Sequence, residues 1–395
     1  MTIGVCGPVD LGLLEYQLEF SELPNTAAFP LVSHFVNGLL NRGFKVNIYT
    51  TSIEVEESVV FDYGQLKICI APQRPQPGRR FFRYEINALK NLILENPSDV
   101  ISSFWSYEFG LAALKTGIPT IVSLHDVATV VLKYHMDMFR AVRWIMDKMV
   151  VAKAKYLIAN SAYTYSSLSK RIQAKTEIIN NFYTNSLLSD VPTNVEKQNY
   201  IITVAQGFGN RKNITTSLKA FSILRKSDPT LEYYLVGVDS EEGGLAHQYA
   251  RKHGLDKGVK FIGPKPFKEV LNLITHAKVL IHPSLEESFG MVILEAMVIG
   301  TAVVGGEKSG YVPYLLDFGN VGKLCDVTSP ESIAITLSKL LANEENLNTL
   351  VKRAKVFAER NYAEDSIIEQ HIAYLKRVWR SYPKEVADIP IEISG

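Results

Sequence analysis

Residues Ala277-Lys278-Val279-Leu280-Ile281-His282-Pro283-Ser284-Leu285-Glu286-Glu287-Ser288-Phe289-Gly290-Met291-Val292-Ile293-Leu294-Glu295-Ala296-Met297 decide the fold. Ala277–His282 is a short apolar run stopped by Pro283, as a buried strand is, and Met291–Ile299 has helical spacing with Gly300 behind it. Strand, turn and helix in that order predict one unit of a parallel α/β sheet. In the turn, Gly290 allows close backbone approach, and the amides of Gly290, Met291 and Val292 fall at the positive end of the helix dipole. That position suits an anion, a phosphate above all. Glu287 precedes the helix, and Glu295 lies about two turns further on, near the same face. Carboxylates repel phosphate but accept hydrogen bonds from hydroxyls, so a vicinal diol such as a ribose is their natural partner. A charged first turn that only complements the dipole would contain the same pair.

The pattern repeats outward. Apolar runs at Tyr200–Ala205, Leu231–Val238, Gly258–Ile262, Ala302–Gly305 and Val321–Cys325 alternate with helical stretches at Asn213–Lys226, Gly243–His253 and Phe267–Thr275. Toward the N-terminus the alternation is looser, with strands expected at Thr2–Cys6, Lys45–Tyr49, Leu66–Ile70, Val100–Phe104, Thr120–Ser123, Tyr156–Ala159 and Glu177–Ile179. Helices are expected at Pro30–Asn41, Phe82–Leu94 and Met138–Ala152, and again at Pro330–Ala342, Glu345–Arg360 and Asp365–Arg380. The polar stretch Ser186–Gln198 is the linker candidate, and the tail from Ser381, with Pro383 and Pro390, reads as irregular. The fold class expected is α/β, with two doubly wound Rossmann-like domains in series. Their bounds are 1–188, 189–364, and a C-terminal helix and tail over 365–395 that either covers a domain surface or crosses back.

Composition agrees with this reading. At 395 residues the chain exceeds the roughly 100–200 of one ordinary domain, and 47% hydrophobic with 21% charged residues excludes wholesale disorder. Cys6, Cys69 and Cys325 are far apart, which argues against a zinc site or a disulfide framework and for a reducing compartment. The first ten residues hold no basic residue, and no window of about 18 apolar residues escapes a charge or proline, so neither a secretory signal nor a membrane span is expected. The expected location is cytoplasmic.

Two further turns carry candidate chemistry. Val204-Ala205-Gln206-Gly207-Phe208-Gly209-Asn210-Arg211-Lys212-Asn213 reads as strand, glycine turn and helix start. Two cations at a helix N-terminus oppose the dipole unless an anion sits there, and Lys212 is the point charge expected to meet a diphosphate. An exposed basic turn is the plainer alternative. Ser123-Leu124-His125-Asp126 ends a strand, where ligands of doubly wound folds bind, although a lone histidine is more often structural.

With these motifs in order, the chain resembles the retaining glycosyltransferases of family four, the glycosyl transferases group 1, whose fold is GT-B: two Rossmann-like domains facing a cleft. The resemblance rests on Glu287-x7-Glu295 followed by Ala296-Met297, the preceding Pro283-Ser284, the strand Gly300-Thr301-Ala302-Val303-Val304 and the loop Gly305–Pro313. It implies transfer of a sugar from a nucleoside diphosphate donor to an acceptor hydroxyl. Glu287, His125 and Lys212 would be the catalytic residues, with Glu287 near the donor sugar and Glu295 on the ribose. Ser288, Phe289, Gly290, Met291 and Val292 would bind the donor, the last four through backbone amides. Gly7, Gln206, Gly207, Arg211 and Lys212 would meet its phosphates, and Ile262, in Val259–Gly263, its base. Asn181 matches an asparagine of the family, though plain turn chemistry explains it as well.

Two departures stand out. Gln206 occupies the position of the family's diphosphate-binding arginine, and the first loop holds only Gly7 and Gly12 without a Gly-Gly pair. They motivate an alternative, a catalytically inactive nucleotide-sugar-binding partner; an epimerase of the same fold lacks support from the glutamate spacing. No D-x-D occurs in the chain, which agrees with the family's metal-independent habit, so no cofactor or metal is expected. The loop Gly305–Gly310 resembles that of bacterial surface-polysaccharide enzymes, which implies a glycan or lipid-linked acceptor.

The net charge of +1 conceals blocks: −5 over residues 1–70, +8 over 71–175 and −2 over 176–395. Within the basic block, residues 79–84 (Arg-Arg-Phe-Phe-Arg-Tyr) and 133–148 mix cations with aromatics and methionines. That mixture suits peripheral contact with an anionic membrane on its inner face. The alternative is an ordinary helix burying Phe139, Val142 and Trp144 on its sheet. Near-neutral total charge and acidic neighbours argue against nucleic acid.

Overall fold

The computed structural model describes residues 1–16, 23–26, 29–189 and 195–382. Positions 190–194 of the expected linker, and the tail from 383, lie outside the described residues. The chain divides into two compact units. Residues 1–160, 165–179 and 365–382 make the first, and 161–164 with 180–364 the second.

In the first unit the order is β1 (Thr2–Cys6), α1 (Pro30–Leu40), β2 (Lys45–Ser52), β3 (Val59–Asp62), β4 (Leu66–Pro72), α2 (Arg83–Glu95), β5 (Val100–Phe104) and α3 (Glu108–Leu114). It continues with β6 (Thr120–Leu124), α4 (Ala128–Tyr134), α5 (Met138–Lys153), β7 (Tyr156–Ala159), α6 (Ala162–Ser166), α7 (Lys170–Gln173) and β8 (Thr176–Ile178). The sheet runs β3-β4-β2-β1-β5-β6-β7-β8, with β3 antiparallel to β4 and every other pair parallel. Every residue of β5 and β6 is buried, as expected of central parallel strands covered on both faces.

The second unit holds α8 (Asn185–Ser189), β9 (Tyr200–Val204), α9 (Ile214–Leu224), β10 (Glu232–Val236), α10 (Leu245–Lys252), β11 (Val259–Gly263), α11 (Phe267–His276) and β12 (Val279–His282). After it come α12 (Met291–Ile299), β13 (Ala302–Gly306), α13 (Val312–Leu315), β14 (Lys323–Cys325), α14 (Pro330–Leu341) and α15 (Glu344–Tyr362). Its sheet is wholly parallel in the order β11-β10-β9-β12-β13-β14. The order reverses direction between β9 and β12, so the ligand crevice of such a sheet lies outside their carboxyl ends. In the first unit the reversal falls between β1 and β5.

The last helix, α16 (Glu364–Ser381), packs within the first unit. Gly38 of α1 makes room for it, because a Cβ there would lie 2.1 Å from Ile368 Cδ1. Arg42 pairs with Asp365 and Glu369, each at 2.7 Å, and fixes the helix's first turns. Among the described residues no helix is long and apolar enough to cross a membrane.

Candidate active site

Two turns of the second unit meet where its strand order reverses. After β9 the chain turns at Gly207 (φ 84°), whose neighbour Phe208 donates its amide to Asp239 Oδ2 at 3.2 Å. Asn213 closes this turn in the left-handed region (φ 53°) and is buried. Its Nδ2 donates to the Pro283 and Val327 carbonyls at 3.1 and 2.8 Å, which ties the turn to the ends of β12 and β14. The second turn, 283–290, follows β12. The Leu285 amide donates to the Arg211 carbonyl at 2.8 Å, so the two turns share a backbone bond.

Two ion pairs lie along that seam. Arg211 Nη1 is 3.2 Å from Glu286 Oε2, and Lys212 Nζ donates to Glu287 Oε1 at 2.6 Å. Arg211 therefore has a carboxylate partner, while Gln206 is exposed, and Lys212 is the cation beside Glu287. His282, at the end of β12, is buried, and its Nε2 lies 3.2 Å from the same Glu287 oxygen. Burial alone would raise the Glu287 carboxyl, but the charge of Lys212 together with the nearby His282 outweighs it and holds the group well below the usual carboxylate range. Glu287 is thus ionised, partly enclosed and already paired with a cation.

The backbone of Glu287 is fixed as well. The Tyr311 amide donates to its carbonyl at 2.9 Å, and Gly310 (φ 63°) leaves only 2.3 Å between that oxygen and a would-be Cβ. Helix α12 then opens at Gly290, whose φ of 98° and ψ of 61° favour glycine, and no side chain caps it. Its first turn contains no acidic residue, so the amide end at Met291 and Val292 stays positive. Phe289 is buried and stacks on Tyr311 at 5.3 Å, so its ring anchors the turn. Further along the helix, Glu295 is half-buried with no cation to compensate it, and burial pushes its carboxyl up to about 7. Ile262 is also half-buried, at the end of β11 next to Gly263 (φ 73°). Asn181 is buried with Nδ2 3.6 Å from Met291 Sδ, against the start of α12.

The other sequence candidates lie in the first unit at its own strand ends. Gly7 follows β1 and donates its amide to the Tyr49 carbonyl at 3.0 Å; a Cβ on it would come within 3.0 Å of Phe104 Cβ. His125 follows β6 with its ring 5.4 Å from Phe104 and 5.5 Å from Phe29. Burial first, then the neighbouring His371, pushes its imidazole down to about 3, so it is neutral at physiological pH and can offer a hydrogen bond but no charge.

Sequence reasoning missed His282, Gly310, Asn213 and Gly237. Asn213 and Gly310 lie in turns that the sequence singles out without giving either a role, and Gly237 falls inside the expected run Leu231–Val238. Its φ is 117° and a Cβ would sit 1.9 Å from the Ala205 carbonyl oxygen, so the ends of β9 and β10 come together only because it lacks a side chain.

This arrangement can stabilise negative charge leaving near Lys212 and the start of α12, and can accept hydrogen bonds at two carboxylates. Comparison with known proteins agrees. The family model "Glycosyltransferase Family 4" matches residues 31–184, and "Glycosyl transferases group 1" matches residues 187–357. The chain is 23% identical over 352 residues to the N-acetyl-alpha-D-glucosaminyl L-malate synthase of Bacillus anthracis, covering 86% of this chain and 87% of that one. It is 30% identical over 182 residues to the amylovoran biosynthesis glycosyltransferase AmsK of Erwinia amylovora, 44% of this chain and 42% of the other. Among solved structures it resembles the sucrose-phosphate synthase of Thermosynechococcus elongatus, with a TM-score of 0.77, 16% identity and coverage of 97% and 100%. Anabaena HepE in complex with UDP-glucose gives 0.69, 17% identity and coverage of 95% and 100%. With both units matched in sequence order and the fold shared along nearly the whole length, the chain belongs to the group 1, family four glycosyltransferases and has the GT-B fold.

Proposed function

We propose that this glycosyltransferase is a retaining, metal-independent enzyme that moves a sugar from a nucleoside diphosphate to an acceptor hydroxyl in bacterial glycan assembly. The observation that carries the reading is the 2.6 Å pair of Lys212 and Glu287 directly before the glycine-opened helix, with half-buried Glu295 behind it. The α12 amides and Lys212 take the diphosphate, and Glu295 takes the ribose hydroxyls. The bond from the anomeric carbon to the diphosphate breaks with its electron pair on the phosphate oxygen, where Lys212 and the amide dipoles stabilise it. The acceptor oxygen attacks the same face, and its proton passes to the departing phosphate. Glu287, held ionised, steadies the positive charge that develops on the sugar. The UDP-glucose bound in the HepE complex supports the donor class, and the named amylovoran biosynthesis activity of AmsK supports the glycan class. Gln206 and the Arg211–Glu286 pair favour the second reading, a binding partner without catalysis. A panel of nucleotide-sugars separates the two, since binding without any nucleotide release across varied acceptors would leave only that second reading.

The Glu295 carboxyl gives this site a pH signature. A diol donates to the ionised form, so affinity for UDP-glucose, if that is the donor of the panel that binds, should rise about tenfold between pH 6 and pH 8 and stay flat in Glu295→Gln. In the ligand-free protein the raised carboxyl has the opposite effect. Stability falls as pH rises from the ordinary glutamate value of 4.5 toward about 7, because the unfolded chain ionises first. Calorimetric titration of wild type and variant measures the first slope and thermal melts across the same pH range the second, and a pH-independent wild-type affinity would remove Glu295 from the ribose.

The acceptor side of the proposal is a lipid-linked or growing glycan met at an anionic membrane, on its cytoplasmic face. In the first unit Met136 and Met138 are 89% and 80% exposed, beside exposed Phe81, Tyr84 and Phe139. The turn before residue 81 packs on Phe139, since a Cβ on Gly78 would lie 2.8 Å from that ring, so residues 80–84 and the start of α5 form one surface. Arg80, Arg83, Lys133 and Lys148 are exposed on these segments, and Arg74, Arg80 and Arg83 line a cavity of about 490 Å³ with Phe81 and Tyr84. Val142, Met146 and Val150 are buried whereas Ile145, Lys148 and Met149 are exposed, so α5 has one face on the core and another outward. The protein should sediment with vesicles rich in phosphatidylglycerol at low salt and be released at high salt. Double replacement Met136→Asp/Met138→Asp should abolish sedimentation, and a wild type left in the supernatant at low salt would overturn the membrane assignment.

A further inference from the structure

The second unit has another cavity, of about 620 Å³ and half open to solvent, bounded by the start of β14, the later turns of α14 and the first half of α15. The volume is in the range of roughly 300–1,000 Å³ typical of small-molecule sites. Lys323, Lys339 and Arg353 line it, and among the described residues none of the three has an ion-pair partner within 4.0 Å. Among the described residues no acidic side chain lines it. Asn320 and Asn346 add amide groups at its wall, and Leu340 and Leu350, both buried, form an apolar floor.

This cavity is separate from the turns around Glu287. Helix α14 starts beyond the carboxyl end of β14 and runs back along the sheet, so Lys339 is about 14 Å from the first residue of the helix, toward the amino ends of the strands. The rim is an unusual turn in which Asp317, Phe318 and Gly319 all have positive φ, at 44°, 51° and 97°. It presents Phe318 with 66% of its surface exposed.

We propose that the cavity is a second carbohydrate site, specific for an anionic sugar. Three cations without carboxylate partners fit phosphate or carboxylate groups. The amides fit sugar hydroxyls, and the aliphatic floor fits the C–H face of a pyranose. Among the described residues no aromatic ring lines the wall to stack a nucleobase, Phe318 standing only at the rim, which separates this ligand class from the donor. Two sources share the chemistry, a free sugar phosphate and an acidic glycan chain.

The test is calorimetric titration of the full chain with glucose 6-phosphate, trigalacturonate, inorganic phosphate and maltotriose. At least one of the two anionic sugars should bind about tenfold tighter than phosphate or maltotriose, and Lys339→Glu and Arg353→Glu should each weaken it about tenfold. Preference for glucose 6-phosphate identifies a free metabolite as the source, and preference for trigalacturonate a glycan chain. Both variants lie outside the Glu287 turns, so their nucleotide-sugar binding should match wild type. The proposal is overturned if neither anionic sugar binds, if inorganic phosphate binds as tightly, or if both variants bind the sugar like wild type.

Discussion

Lys212→Ala should lower glycosyl transfer about 100-fold, the scale of losing one preorganised stabiliser of a developing anion. The effect has two parts. Transfer would lose the cation proposed to meet the departing diphosphate, and Glu287 loses the partner that holds it ionised. Because Lys212 and Glu287 side chains are only 16% and 13% exposed, the stranded carboxylate should also cost about 2–3 kcal/mol of stability, somewhat below a fully buried pair. The pair's stabilisation is present above the ordinary carboxylate pKa and is lost as pH falls through the depressed value of folded Glu287. Glu287→Gln should lower transfer by a similar factor with the fold retained. Combining Lys212→Ala with Glu287→Gln should recover much of the stability and none of the activity, since the two residues act as a unit. Thermal melts beside product assays separate the two parts. Near-normal turnover in both single variants would remove these residues from the mechanism.

Gly237→Ala should be the most damaging small substitution in the second unit. The new Cβ would be placed 1.9 Å from the Ala205 carbonyl oxygen, at a φ of 117° that L-residues rarely adopt. Neither atom belongs to a flexible side chain, so β9 and β10 must separate at their carboxyl ends, where the Gln206–Lys212 turn begins. The expected loss is at least about 3 kcal/mol, or about 10 °C in the melting temperature of a unit this size. Gly243→Ala is the control. Its φ is 82° but nothing lies within 4 Å, so it should cost only about 1 kcal/mol. Equal melting of the two variants would contradict the close approach at Gly237.

The sequence made the α/β alternation plain because each element carries its own period and its own stop. Helix α12 has the expected bounds because Gly290 and Gly300 end it on both sides. Strand β3 was not foreseen; it is a four-residue antiparallel edge with alternately exposed side chains, too short to show a period. Helices α3 and α4, of seven residues each, were missed for the same reason. The glutamates and Lys212 could be read because they sit on turns with glycine and helix signals. Their pairing could not, because Lys212 and Glu287 are 75 positions apart and meet only once β9 and β12 lie side by side. His282 reads as the last residue of an apolar strand, and nothing local shows that it ends beside Glu287. The Arg211–Glu286 pair is equally invisible, so the sequence leaves Arg211 among the phosphate contacts, behind Lys212, with no sign of its carboxylate partner.

The most direct measurement of the central claim is the rate of nucleoside diphosphate release from uridine, guanosine and adenosine diphosphate hexoses. It should be run in EDTA with varied glycan acceptors, on wild type, Lys212→Ala and Glu287→Gln. The account predicts release by the wild type from at least one donor, unaffected by EDTA and lowered about 100-fold in both variants. No release from any donor, or equal release by all three proteins, would contradict it.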